Sequence, residues 1–426
     1  MKLKNCTSRH CEPRSGEAIS KSGIASSCFP LRFARGRSPR NDGRGDFFNG
    51  LKFKYFIKKI YLASRRALLG LCVRPAAIRE VMAGSVASIL VIRIDRIGDV
   101  IVSLPAIRAL KETFPGARIT VLVKEEIAPL LKNIPWIDEV ASYRGLVSSI
   151  RVLRRNKFSM AVDLLMDYPI LPAVIAFFSG AGLRAGFDME GKGRLFNLTL
   201  EPSPEKKHVT GYMLDLIRKI ASLAHIDASV IRDTEPELSL SAGDRDFAGK
   251  FFRDNGVGKD DIVIGLHPGG RYPSQRWMPE RFGAVAAWIG EKYNARIIIV
   301  GSRAETGLIN KVSSSLPARP IIAAGLPLNR LASLIEKMDL FICNNSGPWH
   351  IACALKVPTV STMGPTNYFL WRPGKGGHIV VRKAVPCTPC DLAVCARHDC
   401  MKMISVEDMM EAIAKQVERI KNGKNK

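Results

Sequence analysis

Asp99 is the first residue that stands where a reaction could be run. The segment Ile89–Leu110, ILVIRIDRIGDVIVSLPAIRAL, reads as a buried strand ending at Asp95, a tight connection through Gly98 and a helix opened by Asp99. A carboxylate there can accept a proton from a substrate hydroxyl, or it can cap the helix by accepting backbone N–H groups. Pro105 within the helical pattern predicts a kink or a fresh helix start. A second segment, IGLHPGGRYPSQRWMPERF, ends a strand at His267; Gly269 and Gly270 then let backbone approach a ligand closely, and Arg271 and Arg276 offer forked donors to phosphate oxygens. A third, LFICNNSGPWHIACALKVPTVSTMGPT, turns through Asn344, Asn345, Ser346 and Gly347 into a helix begun by Pro348, so that loop amides and the helix end form an anion site suited to a diphosphate. His350 falls in the first turn of that helix, as a packing, capping or catalytic group.

The elements that must hold these segments alternate along the chain. Nearly continuous apolar runs, as expected of parallel strands buried on both faces, occur at Ile89–Ile94, Arg118–Val123, Met160–Leu165, Ile262–His267, Arg296–Val300, Leu340–Cys343 and Thr359–Met363. Helical patterns fall between them at Val100–Phe114, Pro279–Tyr293, Leu328–Met338 and Pro348–Leu355, and Val406–Ile420 reads as a final amphipathic helix. The pattern predicts an α/β protein of two doubly wound Rossmann-like domains facing a cleft. The division expected is a basic extension at 1–85, a first domain at 86–250, a second at 251–405 and a terminal helix and tail at 406–426. Domains of this kind bind ligands at the carboxyl ends of their strands, where all three segments fall.

Charge and composition narrow the partners. The 426 residues carry a formal charge of +25, of which +13 lies in residues 1–85. Residues 1–46 are rich in Ser, Gly, Arg and Pro and read as disordered. From Phe47 to Cys72, Phe53, Phe56, Ile57, Ile60 and Tyr61 recur at helical spacing among lysines and arginines, which fits a helix lying on an anionic bilayer or one packed on the globular body. Asn5–Ser27 lacks the apolar stretch of a secretory signal, and the longest uncharged apolar run is interrupted by Pro169 and Pro172, so neither export nor a polytopic membrane protein is expected.

The three segments, in this order, resemble glycosyltransferase family nine, the heptosyltransferases of the lipopolysaccharide inner core, over Ser88 to Ile404. The resemblance implies a GT-B fold with an acceptor-binding first domain and a nucleotide-sugar second domain, inversion at the anomeric carbon, ADP-heptose as donor and no required cofactor. It implies Asp99 as general base and Glu305 as the acidic residue that holds the donor ribose, with His267, Gly269, Gly270, Ser346, Gly347 and His350 around the donor phosphates. Two positions depart from the family pattern: Gln275 stands where a phosphate-contacting lysine is usual, which leaves the positive charge to Arg276 or Arg271, and Asn345 stands where an aspartate is common. The expected partners are therefore a nucleotide sugar, a lipid-linked oligosaccharide and, through 47–72, an anionic membrane surface, with no nucleic acid. The expected location is cytoplasmic, peripheral to the inner membrane. The alternatives are a transferase of another nucleotide sugar to a surface glycan, or a nucleotide-binding or membrane scaffold in which catalysis has lapsed.

Cys387, Cys390, Cys395 and Cys400 lie within 14 residues. Their spacing fits a structural metal, reduced thiols or disulfides, and the resemblance does not choose. Asp244–Arg245–Asp246 has the spacing of a metal-binding carboxylate pair, but at the start of a helix acidic residues also simply favour the dipole.

Overall fold

The computed structural model describes residues 59–71, 73, 83–374 and 376–424; the stretch read as disordered and residues 47–58 of the basic helix lie outside these. Two six-stranded sheets form the frame. The first consists of β1 (Ser88–Arg93), β2 (Arg118–Lys124), β3 (Glu139–Tyr143), β4 (Met160–Asp163), β5 (Leu183–Phe187) and β6 (Leu198–Leu200), in the order β3-β2-β1-β4-β5-β6. The second consists of β7 (Val263–His267), β8 (Arg296–Gly301), β9 (Ile321–Ala324), β10 (Leu340–Asn344), β11 (Thr359–Thr362) and β12 (His378–Val381), in the order β12-β11-β10-β7-β8-β9. Every pairing is parallel. In each sheet the order reverses beside its first strand, between β1 and β4 and between β7 and β10, and a crevice opens at such a point.

The sequence of β1, SILVIR, is buried at all but its first position because helices cover both faces of the sheet. On one face Ile89 and Val91 pack under the helices Leu104–Thr113 and Val209–Leu223. On the other, Leu90 and Ile92 pack with Leu153 of the helix Leu146–Arg155, Ala173 and Ala176 of Leu171–Phe178, and Leu69 of the helix 59–71. The first of these clusters continues into the second domain through Val263, Phe341 and Trp349, so one apolar core spans both sheets.

Two expectations change, the extent of one helix and the place of the domain division. The helix expected at Val100–Phe114 is two, Ile97–Val102 and Leu104–Thr113, with Pro105 in the first turn of the second, where its missing N–H costs nothing. The terminal helix, Val406–Lys424, packs on the second domain, where Met409, Ile413 and Val417 enter the second core beside Trp277 and Ile342. The division placed at 250–251 falls inside the helix Ala242–Asp254, which packs against Leu328–Glu336 of the second domain and is tied to it by Arg245 and Glu336 at 2.8 Å. Asp244 closes a capping box with Ser241, the dipole-linked role. No described helix is long and apolar enough to cross a membrane.

Candidate active site

Asp99 sits in the first turn of the helix Ile97–Val102, after β1. It is not the cap: Arg96 is, and it supplies no side-chain cap bond. Among the described residues the half-buried Asp99 carboxylate has no hydrogen-bond or ion-pair partner, while its backbone carbonyl accepts from Arg93. The helix end leans directly on the second domain. A Cβ on Gly98 would stand 2.7 Å from Cδ2 of His350, and one on Gly347 would stand 3.2 Å from Cβ of Ile97. Glycine at both positions is what lets the first turn of Ile97–Val102 meet the first turn of Gly347–Ala354. Arg96 adds a polar tie, donating to the Tyr272 hydroxyl at 3.1 Å.

Burial, with His208 nearby, pushes the His350 imidazole down to about 3, so it is neutral at any physiological pH. It packs between Trp349 and Trp371. This is the packing role, and a neutral buried ring is poorly suited to protonate a leaving group.

The HPGG loop after β7 is held by the side chains of Glu305, Asn344 and Arg276. Glu305 accepts from Gly270 N–H at 3.0 Å through Oε1, and from Ser302 N–H and Oγ–H at 2.8 Å each through Oε2. Burial alone would raise its pKa, but these donors and His267, whose Nε2 lies 3.6 Å away, hold it well below the usual carboxylate range. Nδ1 of His267 is 3.1 Å from the Ser346 hydroxyl, so His267 joins the loops that follow β7, β8 and β10. Asn344, fully buried, uses its whole amide: Nδ2 donates to the carbonyls of Pro268 and Gly269, and Oδ1 accepts from Trp277 N–H and Thr362 Oγ–H. The sequence places Asn344 at the start of the loop after Cys343; it is in fact the last residue of β10, and its side chain rather than its backbone organises the site.

Arg276 is half-buried and anchored by one bond, from Nε to the Gly270 carbonyl at 2.8 Å. That fixes the guanidinium plane and leaves its two terminal nitrogens available to an anion. Arg271 is exposed and stacks over Tyr272. Gln275 donates to Thr366 Oγ at 3.2 Å, fastening the loop to Gly364–Thr366 rather than carrying charge. Asn345 is buried beside Ser346, and Gly347 begins the helix with its first amides uncapped by any side chain. The sequence-derived positions thus converge on one region, except that Arg271 projects at its rim. A Cβ on Gly269 would stand 1.9 Å from Glu305 Oε1. Gly269→Ala must push the carboxylate off Gly270 N–H, and we expect a loss of about 1–3 kcal/mol in urea unfolding; an unchanged midpoint would show that the loop yields freely.

The cysteines lie beside this loop. Ser274 donates from N–H to the carbonyl of Ala393 and from Oγ to that of Leu392, and Cys390 N–H donates to Pro365. The four thiols are free, and among the described residues no group of three or more His, Cys, Asp or Glu side chains is arranged to hold a metal ion.

Under Asp99 lies a charged layer that sequence reading missed. Arg93, buried, is 3.1 Å from the Asp95 carboxylate, and Lys192 pairs with Asp163 at 3.3 Å with both side chains fully buried. Burial raises Asp95 to about 7; Arg93 opposes this, and Asp99 and Asp163 add to it. A carboxyl whose folded pKa lies above its unfolded value near 3.8 contributes stability that is complete below that value and is lost as pH rises through about 7. Melting temperature should therefore fall between pH 5 and pH 8 in the wild type and fall less in Asp95→Asn; equal slopes would remove Asp95 from the account.

The family model described as Glycosyltransferase family 9 (heptosyltransferase) matches residues 146–400. The lipopolysaccharide heptosyltransferase 3 of Escherichia coli is 23% identical over 293 residues, 65% of this chain and 83% of its own length. The lipooligosaccharide heptosyltransferase 2 of Campylobacter jejuni is 24% identical over 327 residues, 75% and 96% of the two chains. Among solved structures, a family 9 glycosyl transferase from Veillonella parvula superposes with a TM-score of 0.68 at 21% identity, covering 81% of this chain and all of that one. ADP-heptose lps heptosyltransferase II of E. coli does so at 0.65 and 21%, covering 78% and 99%. These likenesses establish the two-domain GT-B fold.

Proposed function

The chain belongs to glycosyltransferase family 9 and is a glycosyltransferase, and we propose that it transfers heptose from ADP-heptose to a hydroxyl of the lipopolysaccharide inner core, inverting the anomeric centre. The observation that carries this reading is the abutment of the two helix starts: a carboxylate after β1 with no partner among the described residues stands on the helix start that meets the uncapped amides after β10. A base and an anion-binding helix end at one interdomain crevice are what displacement of a diphosphate by a hydroxyl requires.

In this reaction Asp99 takes the proton from the acceptor hydroxyl as its oxygen attacks C1 of the sugar. The new O–C1 bond forms on the face opposite the breaking C1–O bond to phosphate, and ADP departs with that electron pair. The growing negative charge on the diphosphate is met by the terminal nitrogens of Arg276 and the N–H groups of Gly347 and Trp349 in the first helical turn, fixed before the reaction by Asn344, His267 and Glu305. Glu305 Oε1 has one protein donor and so keeps a lone pair for a ribose hydroxyl. Gln275 and Asn345 make the site less charged than the family pattern; the reading assigns them neutral hydrogen bonds, as Gln275 already shows with Thr366.

The acceptor is lipid-linked in this reading, so the enzyme works at the cytoplasmic face of the inner membrane. The direct test supplies purified protein with ADP-heptose and a deacylated, heptose-deficient core oligosaccharide. Acceptor-dependent heptosylation supports the proposal, whereas turnover with a different nucleotide sugar alone would replace the donor, and binding without turnover would point to a scaffold.

A further inference from the structure

We propose that one face of the first domain, formed by the helices 59–71 and Leu146–Arg155, is a docking surface for an anionic lipid bilayer. This deepens the reading above by naming how the enzyme meets an embedded acceptor, and it rests on that reading only for its purpose, not for its physical basis.

Both helices cover the same face of the sheet and are anchored by few residues. The helix 59–71 turns Leu62, Arg65 and Leu69 inward and leaves Ile60, Leu68 and Leu71 out, the last 84% exposed. The helix Leu146–Arg155 buries Ser149 and Leu153 and exposes Val147 (70%) and Val152 (55%). The helix 59–71 therefore has an inward stripe that packs and an outward apolar stripe that nothing in the described chain covers, while Val147 and Val152, about 140° apart around their helix, flank its exposed arginines. Between them the helix Leu171–Phe178 adds Phe178, 46% exposed. An outward apolar stripe costs free energy in water and gains it at a headgroup–acyl boundary.

The charge selects the partner. The described residues 59–71 and 144–162 contain no carboxylate; Glu190 pairs with Arg66 of the first at 3.6 Å, and the second segment places Arg151, Arg154 and Arg155, which have no ion-pair partner among the described residues, on the exposed side of its helix. Single-sign charge of this density attracts an anionic surface. Nucleic acid is also anionic, but it has no use for exposed aliphatic side chains between the cations, whereas a bilayer takes them below its phosphates.

The surface also ends in the right place. Arg65 donates through Nη1 to the Tyr168 carbonyl at 2.6 Å and through Nη2 to that of Glu190 at 2.7 Å. Those two residues lie in the loops after β4 and β5, at the carboxyl end of the sheet where Asp99 follows β1. A bilayer resting on the two helices would present an acceptor headgroup at the rim of the crevice.

The test is flotation of the full chain with vesicles of phosphatidylglycerol and phosphatidylethanolamine, and with phosphatidylcholine vesicles alone. The wild type should float with the first and not the second, and lose binding as salt rises. The triple variant Arg151→Glu/Arg154→Glu/Arg155→Glu should bind at least about a hundredfold more weakly, since each cation near an anionic surface contributes separately. A second variant, Leu68→Ser/Leu71→Ser, leaves charge unchanged and should also weaken binding. Heptosyl transfer to soluble, deacylated acceptor should stay within about twofold of wild type in both, which also shows that they fold. Equal flotation with both vesicle types, wild-type binding by the triple variant, or displacement of the protein from vesicles by duplex DNA would overturn the proposal. Absence of transfer by the wild type would instead count against the heptosyl reading and leave the flotation result standing.

Discussion

Asp99→Asn should lower kcat by about 10²–10⁴-fold while leaving affinity for the nucleotide sugar within about threefold of wild type. The substitution preserves shape and removes only the ability to accept a proton. Because the Asp99 carboxylate has no hydrogen-bond or ion-pair partner among the described residues, its replacement breaks no structural contact, so stability should hold. That separates it from a cap or an ion pair, whose loss would lower the melting temperature along with the rate. The residues proposed to hold the donor lie on the second domain and are untouched, so calorimetric titration with ADP should be unchanged. Retained turnover in Asp99→Asn would mean that another group takes the proton, and Asp95, the nearest buried carboxyl with an elevated pKa, would be the first to examine.

Lys192→Met should destabilise the fold by about 3–5 kcal/mol, the largest single effect on stability expected in the first domain. Lys192 and Asp163 are fully buried and pair at 3.3 Å, and the ammonium also donates to the Leu165 carbonyl. Removing the cation leaves the Asp163 carboxylate without its counter-charge at the end of β4, close to Asp95 and against β1. A charge stranded in that setting costs several kcal/mol, more than the methionine regains by burial. The companion variant Lys192→Met/Asp163→Leu removes both charges and should recover much of the loss. Urea unfolding of the two variants reads the coupling directly; equal destabilisation by the single and double variants would show that volume, not charge, dominates the position.

The sequence carried the long apolar strands and left the others obscure; β5, LRAGF, is interior and mostly buried, but Arg184 and Gly186 break its apolar run. β1, β7 and β10 are buried on both faces and spell themselves as runs such as ILVI and LFIC. β3 and β12 sit at sheet edges, every residue half-buried, and their mixed composition resembles a loop. The site followed the same division. Asp99, the HPGG loop and the Ser346–Gly347 turn are local patterns, in which residue type and chain neighbours suffice to suggest an anion-binding crevice. Asn344, Tyr272 with Arg96, and Lys192 with Asp163 act through partners distant in sequence, and no local signal pairs them. Glu305 shows the limit most plainly: position after β8 marks it as a cleft residue, but only the fold reveals that its carboxylate is already holding Gly270 and Ser302. Gly98 could have been read more closely, since a glycine at a helix start next to a proposed base is where a neighbouring domain can approach.

The measurement that bears most directly on the central claim is acceptor-dependent release of ADP by the purified full chain given ADP-heptose and a deacylated, heptose-deficient inner-core oligosaccharide, with Asp99→Asn run beside it. ADP and heptosylated acceptor should appear in equal amounts with the wild type, and both should fall by at least about a hundredfold with the variant. ADP-heptose that binds without release under these conditions, or release that Asp99→Asn sustains at the wild-type rate, would contradict the account.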